Sequence, residues 1–159
     1  MAALKVGEKA PEFTLKSAEG KDVQLKDLLK PGKYLIIAFF PAAFSSTCSD
    51  EMGMFQEFYP QLQERNANIV GISVDNHHSL QAFAESLHIG YPLLSDFHPK
   101  GKVAASYGVM RDTGSAGRAL FIVDAKGVIR YSYVSPTAEN PGVDRLFDAL
   151  DGMASGSKS

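Results

Sequence analysis

From Tyr34 to Phe40 the chain reads YLIIAFF, seven residues without a charge and rich in β-branched and aromatic side chains. A strand with one wet face would alternate apolar and polar positions, and this run does not. It suits a central strand covered on both faces. A sheet buried on both sides needs helices to cover it, so this segment points to an α/β architecture.

The remaining segments supply the other layers. EFTLKSAEGKDVQL sets Phe13 and Leu15, then Val23 and Leu25, against polar neighbours around Glu19-Gly20, the pattern of a hairpin with one buried face. From Cys48 the period changes: Met52, Phe55, Phe58 or Tyr59, and Leu62 recur at helical steps, with a break expected at Pro60. NIVGISVD reads as a second apolar strand, followed by a helix over SLQAFAESLHI with Leu80, Phe83 and Leu87 on one side. YPLLSD and a short helix at Val103 to Tyr107 come next. RALFIVD and GVIRYSYV then form strands joined at Ala125-Lys126-Gly127, and a helix from Val143 to Met153 closes the chain. Parallel neighbours joined by helices, with a terminal antiparallel pair, match a thioredoxin-like fold: a central mixed β-sheet flanked by helices, with an N-terminal β-hairpin. Residues 1–153 are expected to form a single domain, a size able to bury one core, and ASGSKS at 154–159 a flexible tail.

A net charge of −2 gives no general pull toward nucleic acid or an anionic membrane surface. No apolar stretch approaches the roughly 20 residues of a membrane helix, and the start MAALKVGEKAPEF has no signal-peptide character. The expected location is the cytoplasm. One cysteine makes an internal disulfide impossible.

That cysteine, Cys48, ends the stretch FFPAAFSSTC. Free cysteines are commonly buried and act as small hydrophobes. Three features argue for chemistry instead. Ser45, Ser46 and Thr47 suit a helix N-cap, which puts Cys48 in the first turn, where free N–H groups and the dipole favour an anion. The apolar strand aims its carboxyl end at this point, the usual place for sites in open α/β sheets. The neighbours along the chain are small and polar. Against this, Glu51 shares a helix face with Cys48 and would oppose a second negative charge there. The site therefore needs a cation facing both groups. Arg118, at the start of RALFIVD and after the loop DTGSAG, is the leading candidate because arginine carries a permanent charge on a planar fork.

PAAFSSTC resembles the peroxiredoxin pattern Pro-x-x-x-Thr/Ser-x-x-Cys, with Pro41, Ser45 and Cys48 in register. APEFTL, FFP, GISVD, YPLLSD, YGV and RALFIVDAKGVIRY also resemble peroxiredoxin segments, in the same order, from about Gly7 to Asp151. The resemblance implies that Cys48 is the peroxidatic cysteine, attacking a peroxide oxygen to become a sulfenic acid. It implies that the Ser45 hydroxyl bonds the peroxide, that Pro41 shields the site, and that Arg118 stabilises thiolate and peroxide oxygens. Glu51 matches a glutamate that holds such an arginine in place. Phe40 and Phe44 are placed to keep the pocket dry. With no second cysteine, the likeness is to one-cysteine peroxiredoxins, most of all the bacterial alkyl hydroperoxide reductase E class. The implied substrates are hydrogen peroxide and organic hydroperoxides, and no cofactor is implied. The implied reductant is an external thiol: a low-molecular-weight thiol, a glutaredoxin-like protein or thioredoxin. Peroxiredoxins often form a homodimer next to the active-site loop, where Phe44 stands.

Other chemistries fit less well. A dithiol oxidoreductase needs C-x-x-C, and Ser45 occupies the first position. Asp75, His77, His78, His88 and His98 lack metal-ligand spacing, and no motif ties a histidine to Cys48 for hydrolysis. The non-enzymatic alternative is a thioredoxin-fold redox sensor or holdase whose thiol oxidises without rapid turnover.

Overall fold

The computed structural model describes residues 3–156. Seven strands form one sheet in the order β2-β1-β5-β4-β3-β6-β7. The YLIIAFF run becomes β3 (Tyr34–Phe39), lying parallel to β4 (Ala67–Ser73) and antiparallel to β6 (Arg118–Val123). Its side chains alternate between two cores, as the two-residue strand period requires. Leu35, Ile37 and Phe39 enter one core with Phe13, Val70, Tyr107 and Phe121. Ile36, Ala38 and Phe40 enter the other with Cys48, Met52, Phe55, Phe83 and Leu146. The absence of alternation in the sequence is thus explained by burial on both sides.

The N-terminal hairpin pairs β1 (Thr14–Ser17) with β2 (Asp22–Gln24) and adds to the sheet through antiparallel β1 contacts with β5 (Leu93–Ser95). A single helical turn, α1 (Leu25–Leu28), follows it; four residues give no periodic signal, and it was not expected. The helical stripe after β3 divides at Phe58 into α2 (Ser46–Glu57) and α3 (Tyr59–Glu64). Pro60 sits in the first turn of α3, where its missing N–H would have had no intrahelical partner. Next come α4 (His77–Leu87), capped by the Asn76 side chain, and α5 (Lys102–Ser106). The turn between β6 and β7 (Ile129–Ser135) is tied by Asp124 Oδ1, which accepts from the backbone of Lys126 and Val128.

The last helix, α6 (Asp144–Gly156), buries Leu146 and Leu150. It takes in the first three residues of the segment expected to be a tail, and Ser157, Lys158 and Ser159 lie outside the described residues. Among the described residues, no helix is long and apolar enough to cross a membrane.

Candidate active site

The site forms where the carboxyl ends of β3 and β4 meet the start of α2. Beyond Phe40 the chain bends at the half-buried Pro41. The Ala43 N–H donates to Asp75 Oδ2 at 2.8 Å, and the Ser73 hydroxyl donates to the same oxygen at 2.7 Å, so the loop is fastened to the end of β4. Phe44 adopts a left-handed conformation at φ 69°, which turns its ring outward. It is 56 % exposed and packs edge-on against Phe83, whereas Phe40 is buried in the core. Of the two aromatic rings expected to shield the site, the core position belongs to Phe40.

Ser45 is the N-cap of α2. Its hydroxyl oxygen accepts from the Cys48 N–H at 3.2 Å and its carbonyl accepts from Ser49 N–H at 2.9 Å. Cys48 therefore stands in the first helical turn, at the positive end of a twelve-residue helix. The same stripe that carries Met52 and Phe55 turns its sulfur inward, and the residue is 0 % exposed. Burial alone would suit an inert thiol. The neighbour that changes this is Arg118, whose Nη2 lies 3.3 Å from Sγ.

Arg118 is itself only 2 % exposed. Nη1 donates to Glu51 Oε1 at 2.6 Å, and Nε and Nη2 donate to the Thr137 carbonyl at 3.1 and 2.8 Å. Burial works against its charge, but Glu51 and Cys48 outweigh that and hold the guanidinium protonated. Glu51 is fully buried beside it. Loss of water pushes its carboxyl up to about 7, more than Arg118 can offset, and its Oε2 has no hydrogen-bond partner. Tyr91 closes this region from below: its hydroxyl donates to the Met52 carbonyl at 2.7 Å. Burial first, and Glu51 second, move its phenol well above the ordinary range.

Three of the five residues singled out in the sequence, Cys48, Glu51 and Arg118, thus form one hydrogen-bonded group, while the Ser45 hydroxyl oxygen accepts from the Cys48 backbone N–H. Pro41 shapes the loop without a hydrogen bond to the group. The sequence reading missed Thr137, Tyr91 and the loop-fastening role of Asp75. Thr137 had one weak signal: Arg118 pairs with Ser135 across the β6–β7 hairpin, so the chain just past β7 must lie beside it. A backbone carbonyl leaves no mark in residue identity. His77 stacks on His78 with ring centroids 4.0 Å apart, and among the described residues no group of three or more His, Cys, Asp or Glu is placed to hold a metal ion.

A cleft of about 640 Å³ near Glu12 and Lys102 lies away from the thiol. A smaller depression of about 390 Å³ reaches the Arg118 side of the group, lined by Val109, Arg111, Arg118, Val134, Pro136 and Thr137 among others. Chemically the arrangement is a dry cradle for negative charge, with fixed donors on one side of a sulfur at a helix start.

A thioredoxin-like sheet that presents one helix-start thiol to a buried guanidinium fits the class of thiol-dependent peroxidases. The sequence matches the AhpC/TSA family over residues 6–132, and the chain belongs to that family of peroxiredoxins. Alkyl hydroperoxide reductase E of Mycobacterium tuberculosis is 33 % identical over 137 residues, 86 % of this chain and 89 % of its own length. The chloroplastic 2-cysteine peroxiredoxin of Chattonella marina var. antiqua is 31 % identical over 161 residues, 95 % of this chain and 81 % of its own. The crystal structure of peroxidoxin BcpB from Mycobacterium tuberculosis matches with a TM-score of 0.85 at 28 % identity, covering 94 % of this chain and 97 % of that one. The family reduces peroxides with thiol reductants, and the single cysteine here is consistent with a one-cysteine mechanism.

Proposed function

We propose that the chain reduces hydrogen peroxide and organic hydroperoxides at Cys48 and is recycled by an external thiol. The observation that carries this reading is the buried Arg118 guanidinium bridging Cys48 and Glu51. The Cys48 thiolate attacks the terminal peroxide oxygen, the O–O bond breaks, and charge grows on the departing oxygen. Donors already fixed around the sulfur need no reorganisation as that charge develops. Arg118 supplies one set, the first turn of α2 another, and the Ser45 hydroxyl a third. As the cap oxygen accepts from Cys48 N–H, the Ser45 hydrogen is left free to donate to a peroxide oxygen. Pro41 bends the loop over the sulfur, and Glu51 fixes the guanidinium. An acidic thiol alone would be a weaker nucleophile, so most of the acceleration comes from positioning.

The sulfenic acid at Cys48 has no second cysteine in the chain to meet, so its reductant is external: a low-molecular-weight thiol, a glutaredoxin-like protein or thioredoxin. A thiol that must be reduced after every turnover suits the cytoplasm. The exposed Phe44 beside the site supports a homodimer contact there. Residues 1–153 act as a single domain, supported by the one continuous sheet through which both cores are built.

Turnover tests the enzyme against the sensor or holdase alternative. Peroxide consumption would be followed with catalytic protein and each candidate thiol in excess. The reading predicts many peroxides consumed per Cys48 with at least one reductant class. Consumption that stops at one equivalent with all three classes contradicts it and favours the sensor.

A further inference from the structure

Arg118 faces two groups that can each become an anion, yet it carries one charge. Nη1 donates to Glu51 Oε1 and Nη2 approaches the Cys48 sulfur, while the remaining contacts go to the neutral Thr137 carbonyl. All three side chains are closed off from solvent. A carboxylate and a thiolate together would leave a net negative charge among Met52, Phe55 and Phe40, where an uncompensated ion is strongly disfavoured.

A second observation concerns the far oxygen of Glu51. Oε2 is buried and has no hydrogen-bond partner. An ionised carboxylate offers about four acceptor sites, and one donor, Nη1, reaches this one. The charged and titratable groups facing Glu51 are Arg118 from β6, Cys48 on its own helix and Tyr91 from the segment before β5. Tyr91 commits its hydrogen to the Met52 carbonyl and gives none to the carboxylate.

We propose that Cys48 and Glu51 share one proton across Arg118, so that the Cys48 thiolate stands opposite a protonated Glu51 and the sulfenic acid opposite an ionised one. This rests on the peroxidase reading. The upward displacement of the Glu51 carboxyl by burial points the same way.

The reaction then balances inside the site. The thiolate sulfur forms a bond to the terminal peroxide oxygen, the O–O bond breaks, and its electron pair leaves on the other oxygen. Sulfur is oxidised by two electrons and the peroxide is reduced by two. As Cys48 becomes neutral, Glu51 ionises, and the proton it releases balances the one the leaving oxygen takes up to become water or alcohol. The carboxylate takes over as the charge opposite Arg118. Thiolate, carboxyl and hydroperoxide become sulfenic acid, carboxylate and alcohol, and the net uptake of protons is zero. Glu51 acts through Arg118, as a positioning residue for charge.

Proton counting tests this. The full chain, reduced and weakly buffered near neutral pH with an indicator dye, would be mixed with one equivalent of hydrogen peroxide, after its thiolate had been measured by ultraviolet absorbance. The proposal predicts a thiolate beforehand and no proton uptake during oxidation. It predicts one proton taken up per Cys48 in Glu51→Gln, where glutamine keeps the shape but cannot supply the proton. Uptake of one proton per thiolate by the wild-type chain overturns the proposal, and so does zero uptake with no thiolate absorbance. The wild-type count decides even where the variant folds poorly. Failure of the peroxidase reading looks different, as oxidation no faster than that of free cysteine whatever the proton count.

Discussion

Arg118 works through a geometry that lysine cannot copy. One planar group reaches Glu51, Cys48 and Thr137 at once, while an ammonium on a flexible stem is a point charge with no fixed fork. Arg118→Lys should keep the net charge yet slow Cys48 oxidation by about 10²-fold, the scale of losing a preorganised donor; rapid quench with peroxide titration checks it, and a rate within twofold of wild type contradicts it. Glu51 gives a pH prediction. Its carboxyl lies near 7 in the folded chain against an ordinary 4.5, so the folded state holds the proton more tightly. Its contribution to stability is complete below pH 4.5 and is lost as pH rises through 7. Glu51→Gln cannot titrate, so its stability relative to wild type should improve over that window, by on the order of 3 kcal/mol. Urea melts at the two ends of the window measure this, and a difference that stays constant with pH contradicts it.

At the scale of elements, the start of α2 and the end of β4 set the site. Ser45→Ala removes the side-chain cap from the Cys48 N–H and should cost about 1 kcal/mol, read as a lower urea midpoint with unchanged slope. Gly71 in β4 faces α2: a Cβ there would come within 2.7 Å of Leu93 Cδ2, 3.3 Å of the Phe40 ring and 3.4 Å of Met52 Sδ. Gly71→Ala should therefore destabilise by about 1–3 kcal/mol through overpacking behind the Cys48 helix, and a melt matching wild type would show that Leu93 simply moves aside. Strands β3, β4 and β6 were legible in the sequence because burial on both faces removes alternation. The α2–α3 division was legible because proline marks it. The turn α1 was not, since four residues carry no period. Cys48 and Glu51 were legible as neighbours because three residues along a helix share a face. What joins them to Arg118 and Thr137 is sheet register, a tertiary fact that local residue types do not encode.

For the whole molecule, the ordering of seven strands brings Arg118, seventy positions from Cys48 in the chain, to hydrogen-bond distance of its sulfur. The family likeness in the sequence covered nearly the whole chain, so the architecture was legible beyond its individual elements. Sedimentation should give twice the chain mass, and Phe44→Glu should give one, if the exposed ring lies in a homodimer contact; a wild-type monomer contradicts that contact. The central claim is that this fold builds a peroxidatic site around a buried thiol. Its most direct test is to quench the reduced chain milliseconds after one equivalent of hydrogen peroxide and count oxidised Cys48 by intact mass, with Arg118→Ala alongside. The account predicts oxidation far faster than that of free cysteine at the same pH, and loss of that advantage in the variant. Oxidation at the rate of free cysteine in both proteins would contradict it and make Cys48 an ordinary buried thiol.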